Sequence, residues 1–547
     1  MPLRKLNNPA NDHSLRARVG SSSQAVLQEA RAKELFIAVV GPAGSGASAA
    51  ASALRSFLEQ EVVGELHYEV QVIKASEAIR EWALSSGLPV PAENARKSLG
   101  GIRQMQDNGD AMRLASRDNA AVARAAIKRI SDLRARSSGL APGQFDGKPR
   151  AFIIDSLRHP AEAHLLRRLY QDAFTLIGVV CDPGQRASRL KMNLFTGPER
   201  GLRATTDAVA AFINRDADAP ERHGQHVTDT FHEADFFVDN SKDASHDTTD
   251  TAMNEPLRRL VNLLTSRRVE RPTAAETAMH HAHSAKLRSA CMSRQVGAAL
   301  LDRRGNVVAT GTNEVPRAGG GVYGEDFGSD GTAGDHRCIY GETPFCSSNR
   351  EQNEIIGDLI DAYPMLAAGR DRGEVEAELR KTRIGGLIEF SRAVHAEMDA
   401  ILSAARTGVS PQGCRLFVST FPCHYCARHI VSAGIDEVQY IEPYPKSRAL
   451  ALHCDSITTE PSDWAPPSEA ERASRPDGPP APARKVLFRP FVGVAPRLYA
   501  RVFLKDRDYK DKVSGEYTLG QPDWGGPSEV FKVRYADLEL ELGTLPQ

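Results

Sequence analysis

The chain has 547 residues, too many for one ordinary hydrophobic core, so two domains and their linkers are expected. Its 69 Lys and Arg against 70 Asp and Glu leave a net charge of −1, without the basic excess that long nucleic acid usually demands. No apolar run has membrane-spanning length, Met1–Lys5 lacks an apolar signal core, and eight cysteines in so long a chain argue against a disulfide framework; the expected compartment is a reducing cytoplasm.

Residues 1–32 are polar and irregular and read as a flexible arm. From 33 to 266, short apolar runs alternate with longer helical stretches. Leu35–Val40, Val70–Ile73, Ala151–Ile154, Leu176–Val180 and Asp235–Val238 predict strands, and an Ala-rich helix is expected over Ala47–Gln60. This alternation predicts a doubly wound α/β domain with a parallel sheet. The polar stretch 240–254 reads as a boundary, with one more helix, Glu255–Thr265, closing the domain.

Gly41-Pro-Ala-Gly44-Ser-Gly46-Ala47-Ser48 lies between the first strand and the first helix. In that context backbone N–H groups and a helix N-terminus bind phosphate oxygens. Gly41, Gly44, Gly46 and Ser48 are therefore candidates to hold a nucleotide's phosphates, with Asp155 placed as a metal-positioning acid. The phosphate-loop pattern is broken at Ala47, where the lysine that reaches the β and γ phosphates should stand. Phosphate binding survives such a change on paper; phosphoryl transfer is not expected to. An ordinary Gly-rich turn on an α/β scaffold is the competing reading. Ile154–Glu162 and Val179–Leu190 resemble the corresponding parts of P-loop nucleotide kinases.

The second domain is expected over 273–547. A helical stretch, Ala274–Ala290, leads into a hairpin that turns at Gly305. An insertion over 317–382 is Gly-rich at first, then charged and helical. Arg415–Thr420 and Glu437–Ile441 predict strands. The Pro-, Ser- and Ala-rich stretch 461–483 reads as a disordered excursion, and order returns at Val486.

Within this domain stand His395-Ala-Glu397 and Pro422-Cys423-His-Tyr-Cys426. Cys423 and Cys426 are three apart, so a helix puts them on one face. Pro422 suits the first turn of that helix, whose positive end favours thiolates. His395 adds a nitrogen from a second helix, roughly Ala393–Ala405. Three protein ligands leave the fourth tetrahedral position of a zinc ion open to water, the mark of a catalytic site. Glu397 is placed to carry protons. Cys-x-x-Cys alone would suit a structural zinc knuckle or a redox pair. His-x-Glu and Pro-Cys-x-x-Cys in this order form the signature of the zinc-dependent nucleobase deaminases.

Three further segments resemble deoxycytidylate deaminases: Ser293-Arg294-Gln-Val-Gly-Ala298, Gly311-Thr-Asn313 and Ser432–Val438. The resemblance spans most of 280–450 and implies a cytidine-deaminase-like α/β/α domain. It implies hydrolytic deamination of dCMP or dCTP to dUMP or dUTP with release of ammonia. Zinc would sit on His395, Cys423 and Cys426, Glu397 would shuttle protons, and Asn313 would orient the sugar. Arg294, Lys446 and Arg497 are candidates for phosphate contacts, or equally solvated surface charges. Some relatives hold a second, structural zinc, and His336, Cys338 and Cys346 offer three donors for one. Cys181, Cys291, Cys414 and Cys454 read as small core residues.

The whole order, a P-loop kinase-like half without its lysine and then a deaminase half ending near Phe488–Tyr499, resembles the bacterial anti-phage dCTP/dCMP deaminases. That implies depletion of deoxycytidine nucleotides during infection; a homo-oligomer is expected, with the inhibitor partner left open. The alternatives are a polynucleotide cytidine or adenosine deaminase, and a non-catalytic nucleotide-sensing regulator.

Overall fold

The computed structural model describes residues 33–60, 67–92, 96–241, 253–265, 268–324, 334–340, 344–444, 446–461, 464–469, 484–504, 510–516, 539 and 543. The expected arm 1–32 lies outside them, as do 470–483 of the expected excursion. Contacts divide the described residues into two compact units. One takes those of Met1–Glu233, Asn240–Val269 and Arg507–Gln547, the other those of Ala234–Asp239 and Glu270–Asp506. Both are mixed α/β structures built on sheets rich in parallel pairs.

In the first unit, strands β1 (Glu34–Val40), β2 (Glu69–Lys74), β3 (Arg150–Asp155) and β4 (Phe174–Val180) lie in the order β4-β1-β3-β2, all parallel. Every residue of β1, β3 and β4 is buried. A parallel sheet covered on both faces needs such unbroken apolar runs, which is why these strands were visible as continuous rather than alternating patterns. The helix Ala47–Gln60 buries Ala50, Ala51, Leu54 and Leu58 along one face.

Charge is also buried in this unit. Arg134, on the helix Ala121–Ser138, is 1% exposed. Its guanidinium pairs with Glu34 at 2.8 Å and with both carboxylate oxygens of Glu539, at 2.5 and 3.1 Å. The Tyr170 hydroxyl donates to Glu539 at 2.6 Å. Glu539 lies in the stretch expected to belong to the second domain, yet its carboxylate neutralises an arginine inside the first unit.

In the second unit, β5 (Phe236–Asp239) pairs antiparallel with β12 (Gly493–Val494). The main sheet holds β6 (Gly297–Leu301), β7 (Val307–Thr312), β8 (Arg415–Thr420), β9 (Glu437–Glu442), β10 (Ile457–Thr458) and β11 (Val486–Pro490) in the order β10-β11-β9-β8-β6-β7. The predicted hairpin is β6–β7, and β6 is antiparallel to β8 as well. The pairs β8–β9, β9–β11 and β11–β10 are parallel.

Two glycines let helices close on this sheet. A Cβ on Gly297 would stand 2.0 Å from the Ala282 carbonyl oxygen of the helix Ala274–Lys286. One on Gly311 would stand 2.2 Å from the Ala396 carbonyl oxygen of the helix Ala396–Arg406. Gly311 is opposite Ala298 in register, and Gly297 is its neighbour, so the two glycines face opposite sides of the sheet. The unit is therefore helix, sheet and helix in layers. Ala298, Leu300, Leu416 and Val418 form one core with Ala396, Ala400 and Ala404. The insertion carries the helices Ser347–Ala362 and Arg372–Arg380 around a small core of Ile356, Ile360 and Val375.

Candidate active site

Both candidate metal-ligating segments sit at helix starts. The helix expected from Ala393 begins at Ala396, so His395 is its N-cap, with extended backbone. Likewise Cys423 caps the helix His424–Ser432, which follows β8 after a short turn. Pro422 accordingly precedes the cap rather than filling the first helical turn. The Cys426 N–H donates to the Cys423 sulfur at 3.4 Å, so the cap itself favours a thiolate.

The three donors converge. His395 Nδ1 lies 3.3 Å from Cys423 Sγ and 3.3 Å from Cys426 Sγ. Zinc bonds of about 2.3 Å to sulfur and about 2.0 Å to nitrogen, at a tetrahedral angle, put nitrogen and sulfur about 3.5 Å apart. The observed separations fit that requirement. Among the described residues, this is the one cluster of three or more His, Cys, Asp or Glu side chains close enough to share a metal ion.

Electrostatics agree with the assignment. The hydrogen bond from Cys426 brings the Cys423 thiol down to about 4, with the His395 imidazole adding to the effect. Burial and the neighbouring Cys423 sulfur push the Cys426 thiol up. Burial pushes the Glu397 carboxyl up to about 7, and the charge on Cys423 adds to it. Glu397 is 4% exposed. A carboxyl balanced between its two forms near neutrality can both accept and return a proton.

His395, Glu397 and Cys423 open onto a cavity of about 430 Å³, a volume suited to a small-molecule ligand. Of the four candidate substrate contacts, Arg294, Asn313 and Lys446 line it and Arg497 does not. Asn313 is buried, and its amide is partly committed. It accepts from the Val296 N–H at 2.6 Å and donates to the Arg294 carbonyl at 2.6 Å, tying down the segment before β6. Glu314 was not singled out from sequence, yet it is 1% exposed and lines the same wall. Its carboxylate accepts from the Ala290 N–H at 2.7 Å and the Val315 N–H at 2.9 Å. Only its position beside Asn313 could have signalled it.

The donors considered for a second zinc do not form a three-ligand cluster among the described residues. Cys338 and Cys346 line the catalytic cavity, and His336 with Cys338 lines a neighbouring one. Of the cysteines read as core, Cys181 and Cys414 are buried. Cys454 is exposed instead, and Cys291 lines the catalytic cavity.

In the first unit the loop Gly41–Gly46 follows β1 and opens the helix Ala47–Gln60, with positive φ at Gly44 and Gly46. The Ser48 hydroxyl donates to Asp155 at 2.7 Å, which brings the two candidates together. The Asn240 side chain donates to the Ser45 carbonyl at 2.7 Å and braces the loop. One amide already has an anion: the Ala43 N–H donates to the buried Asp216 carboxylate at 2.7 Å. Arg158 pairs with the same carboxylate at 2.8 Å and donates to the Gly41 carbonyl at 3.2 Å.

Residues 272–442 match a family model described as the cytidine and deoxycytidylate deaminase zinc-binding region. The deoxycytidylate deaminase of Enterobacteria phage T4 is 29% identical over 180 residues, covering 32% of this chain and 80% of the phage protein. The dCMP deaminase of the cyanophage S-TIM5 aligns with a TM-score of 0.20 and 19% identity, covering 34% of this chain and 94% of that one. Shikimate kinase from Acinetobacter baumannii aligns with a TM-score of 0.22 and 10% identity, covering 46% of this chain and all of that one (100%). The ligand cluster, the buried carboxyl and the family match make the second unit an enzyme, a hydrolase of the deaminase class.

Proposed function

We propose that the second unit deaminates deoxycytidine 5′-nucleotides, converting dCMP and dCTP to dUMP and dUTP with release of ammonia. The observation that carries this reading is the buried Glu397 beside the convergent His395, Cys423 and Cys426 at the floor of a nucleotide-sized cavity. The deoxycytidylate deaminases among the relatives supply the substrate class. The test is incubation with dCMP, dCTP, CMP and an oligonucleotide, with ammonia and uracil products measured. Release from the deoxynucleotides supports the reading; release from the oligonucleotide alone would make the protein a polynucleotide deaminase.

His395, Cys423 and Cys426 would hold zinc, which when bound supplies the Lewis acidity that makes water a nucleophile at neutral pH. Glu397 does the proton work. It accepts a proton from the attacking water and delivers it to N3 of the cytosine ring, then takes the proton of the new C4 hydroxyl and passes it to the departing amino group, leaving the C4 carbonyl and ammonia. A carboxyl held near 7 suits all of these transfers. Arg294 and Lys446 line the cavity, which supports the reading that they meet the substrate phosphate.

The first unit is proposed to bind a nucleotide's phosphates at Gly41, Gly44, Gly46 and Ser48 and to regulate the second, without phosphoryl transfer. The well-formed loop supports binding, and Ala47 argues against transfer. The biological output we propose is depletion of deoxycytidine nucleotides during phage infection. It rests on the order of the two halves. Its test is the nucleotide pool: dCTP should fall and dUMP or dUTP rise in infected cells, and Glu397→Ala should abolish both changes.

A further inference from the structure

Beside the catalytic cavity, one carboxylate sits among several cations. Glu442 ends β9, Lys286 ends the helix Ala274–Lys286, and Arg294 lies just before β6. Lys286 Nζ is 2.8 Å from Glu442 Oε1, and Arg294 Nη1 is 3.9 Å from Oε2. The Thr420 hydroxyl donates to Oε2 at 3.1 Å. Thr420 and Arg294 both line the cavity, so this cluster forms the shell directly behind its wall. His283 and Arg497 belong to the same neighbourhood, since the charges of Lys286, Arg497 and Glu442 all act on the His283 ring.

Two cations against one carboxylate make an anion site with a fixed negative charge already in it. Lys286 and Glu442 are each about three-quarters buried, at 22% and 23% exposure, whereas Arg294 is 50% exposed and free to turn toward the cavity. Screening by water is weaker for the buried pair, so its charge is felt at the cavity wall. A phosphate entering beside Arg294 gains from the cations and loses to Glu442. The loss grows with each further charge on the phosphate chain, so the carboxylate penalises a triphosphate more than a monophosphate.

We propose that Glu442 is a specificity-determining residue that sets how many substrate phosphates the deaminase site accepts, by opposing the charge of longer phosphate chains at the wall formed by Arg294 and Thr420. This rests on the deoxycytidine-nucleotide reading above. It adds a determinant to that reading, because the residue acts from behind the wall.

The test compares kcat/KM for dCTP and dCMP in the full chain. Glu442→Gln keeps an acceptor for the Thr420 hydroxyl but removes the charge and releases Lys286. Its dCTP-to-dCMP ratio should rise about tenfold over wild type, chiefly through KM for dCTP. Lys286→Met should move the ratio in the opposite direction, and it carries the test if Glu442→Gln does not fold. A ratio within about twofold of wild type in either folded, active variant overturns the proposal, since one unit charge at the wall must count for more than that. If the wild-type chain deaminates neither nucleotide, the functional reading itself falls; an unmoved ratio in active variants defeats this inference alone.

Discussion

At the scale of single residues, Glu397 is the most exposed part of the account to experiment. Glu397→Gln removes the proton carrier but keeps volume and hydrogen bonding, so zinc content and melting temperature should stay near wild type. Turnover should fall by about 10²–10⁴-fold, the range of general acid–base contributions. Activity within threefold of wild type would refute the role. His395→Ala and Cys423→Ala behave differently, because each removes one of three ligands and leaves the others unable to close the site. Metal analysis should show a loss of about one zinc per chain alongside the lost activity. Asn313 separates two roles that sequence could not. Its amide braces the Arg294–Val296 backbone, so Asn313→Ala should cost about 1–3 kcal/mol of stability, seen in urea unfolding. A change in KM with unaltered stability would instead make it purely a substrate contact.

Elements explain which features were legible. The convergence of His395, Cys423 and Cys426 could be read because metal chemistry favours particular residue types and spacing. The strands of the first unit could be read because a two-sided parallel sheet writes itself as unbroken apolar runs such as Leu35–Val40. Capping was only half legible. His395 and Cys423 stand before their helices rather than inside them, which lets both side chains reach across to one point. Gly297 and Gly311 were matched as pieces of a resemblance, but their physical reason, two helix backbones pressed onto opposite faces of the sheet, appears only in three dimensions. Contacts distant in sequence left no local trace at all. Arg134 and Glu539 are 405 residues apart, and nothing in either segment announces the pair. Glu539→Ala strands a buried guanidinium with one carboxylate where it had two. The first unit should lose about 3–5 kcal/mol, the cost of breaking a buried ion pair. Hydrogen exchange resolved along β1 and the Arg134 helix would report it, and unchanged protection there would show that the tail is dispensable.

On the scale of the whole molecule, the chain joins a Gly-rich loop without the phosphate-loop lysine to a unit whose His395, Cys423 and Cys426 could hold a metal ion. Ala47 predicts that no phosphoryl transfer from ATP to any deoxynucleotide will be detectable; robust kinase activity would contradict the proposed division of roles. Among the described residues no helix is long and apolar enough to cross a membrane, and the near-zero net charge agrees with a small nucleotide rather than a polynucleotide as substrate. In the proposed reaction the second unit replaces the amino group of a deoxycytidine nucleotide with an oxygen from water, using Glu397. The most direct measurement is turnover of dCMP and dCTP in heavy-oxygen water, with ammonia release and product mass followed together. One labelled oxygen should enter the uracil ring per ammonia released, and neither should appear with Glu397→Gln. Absence of ammonia from both nucleotides, or labelled product undiminished in the Glu397→Gln protein, would contradict it.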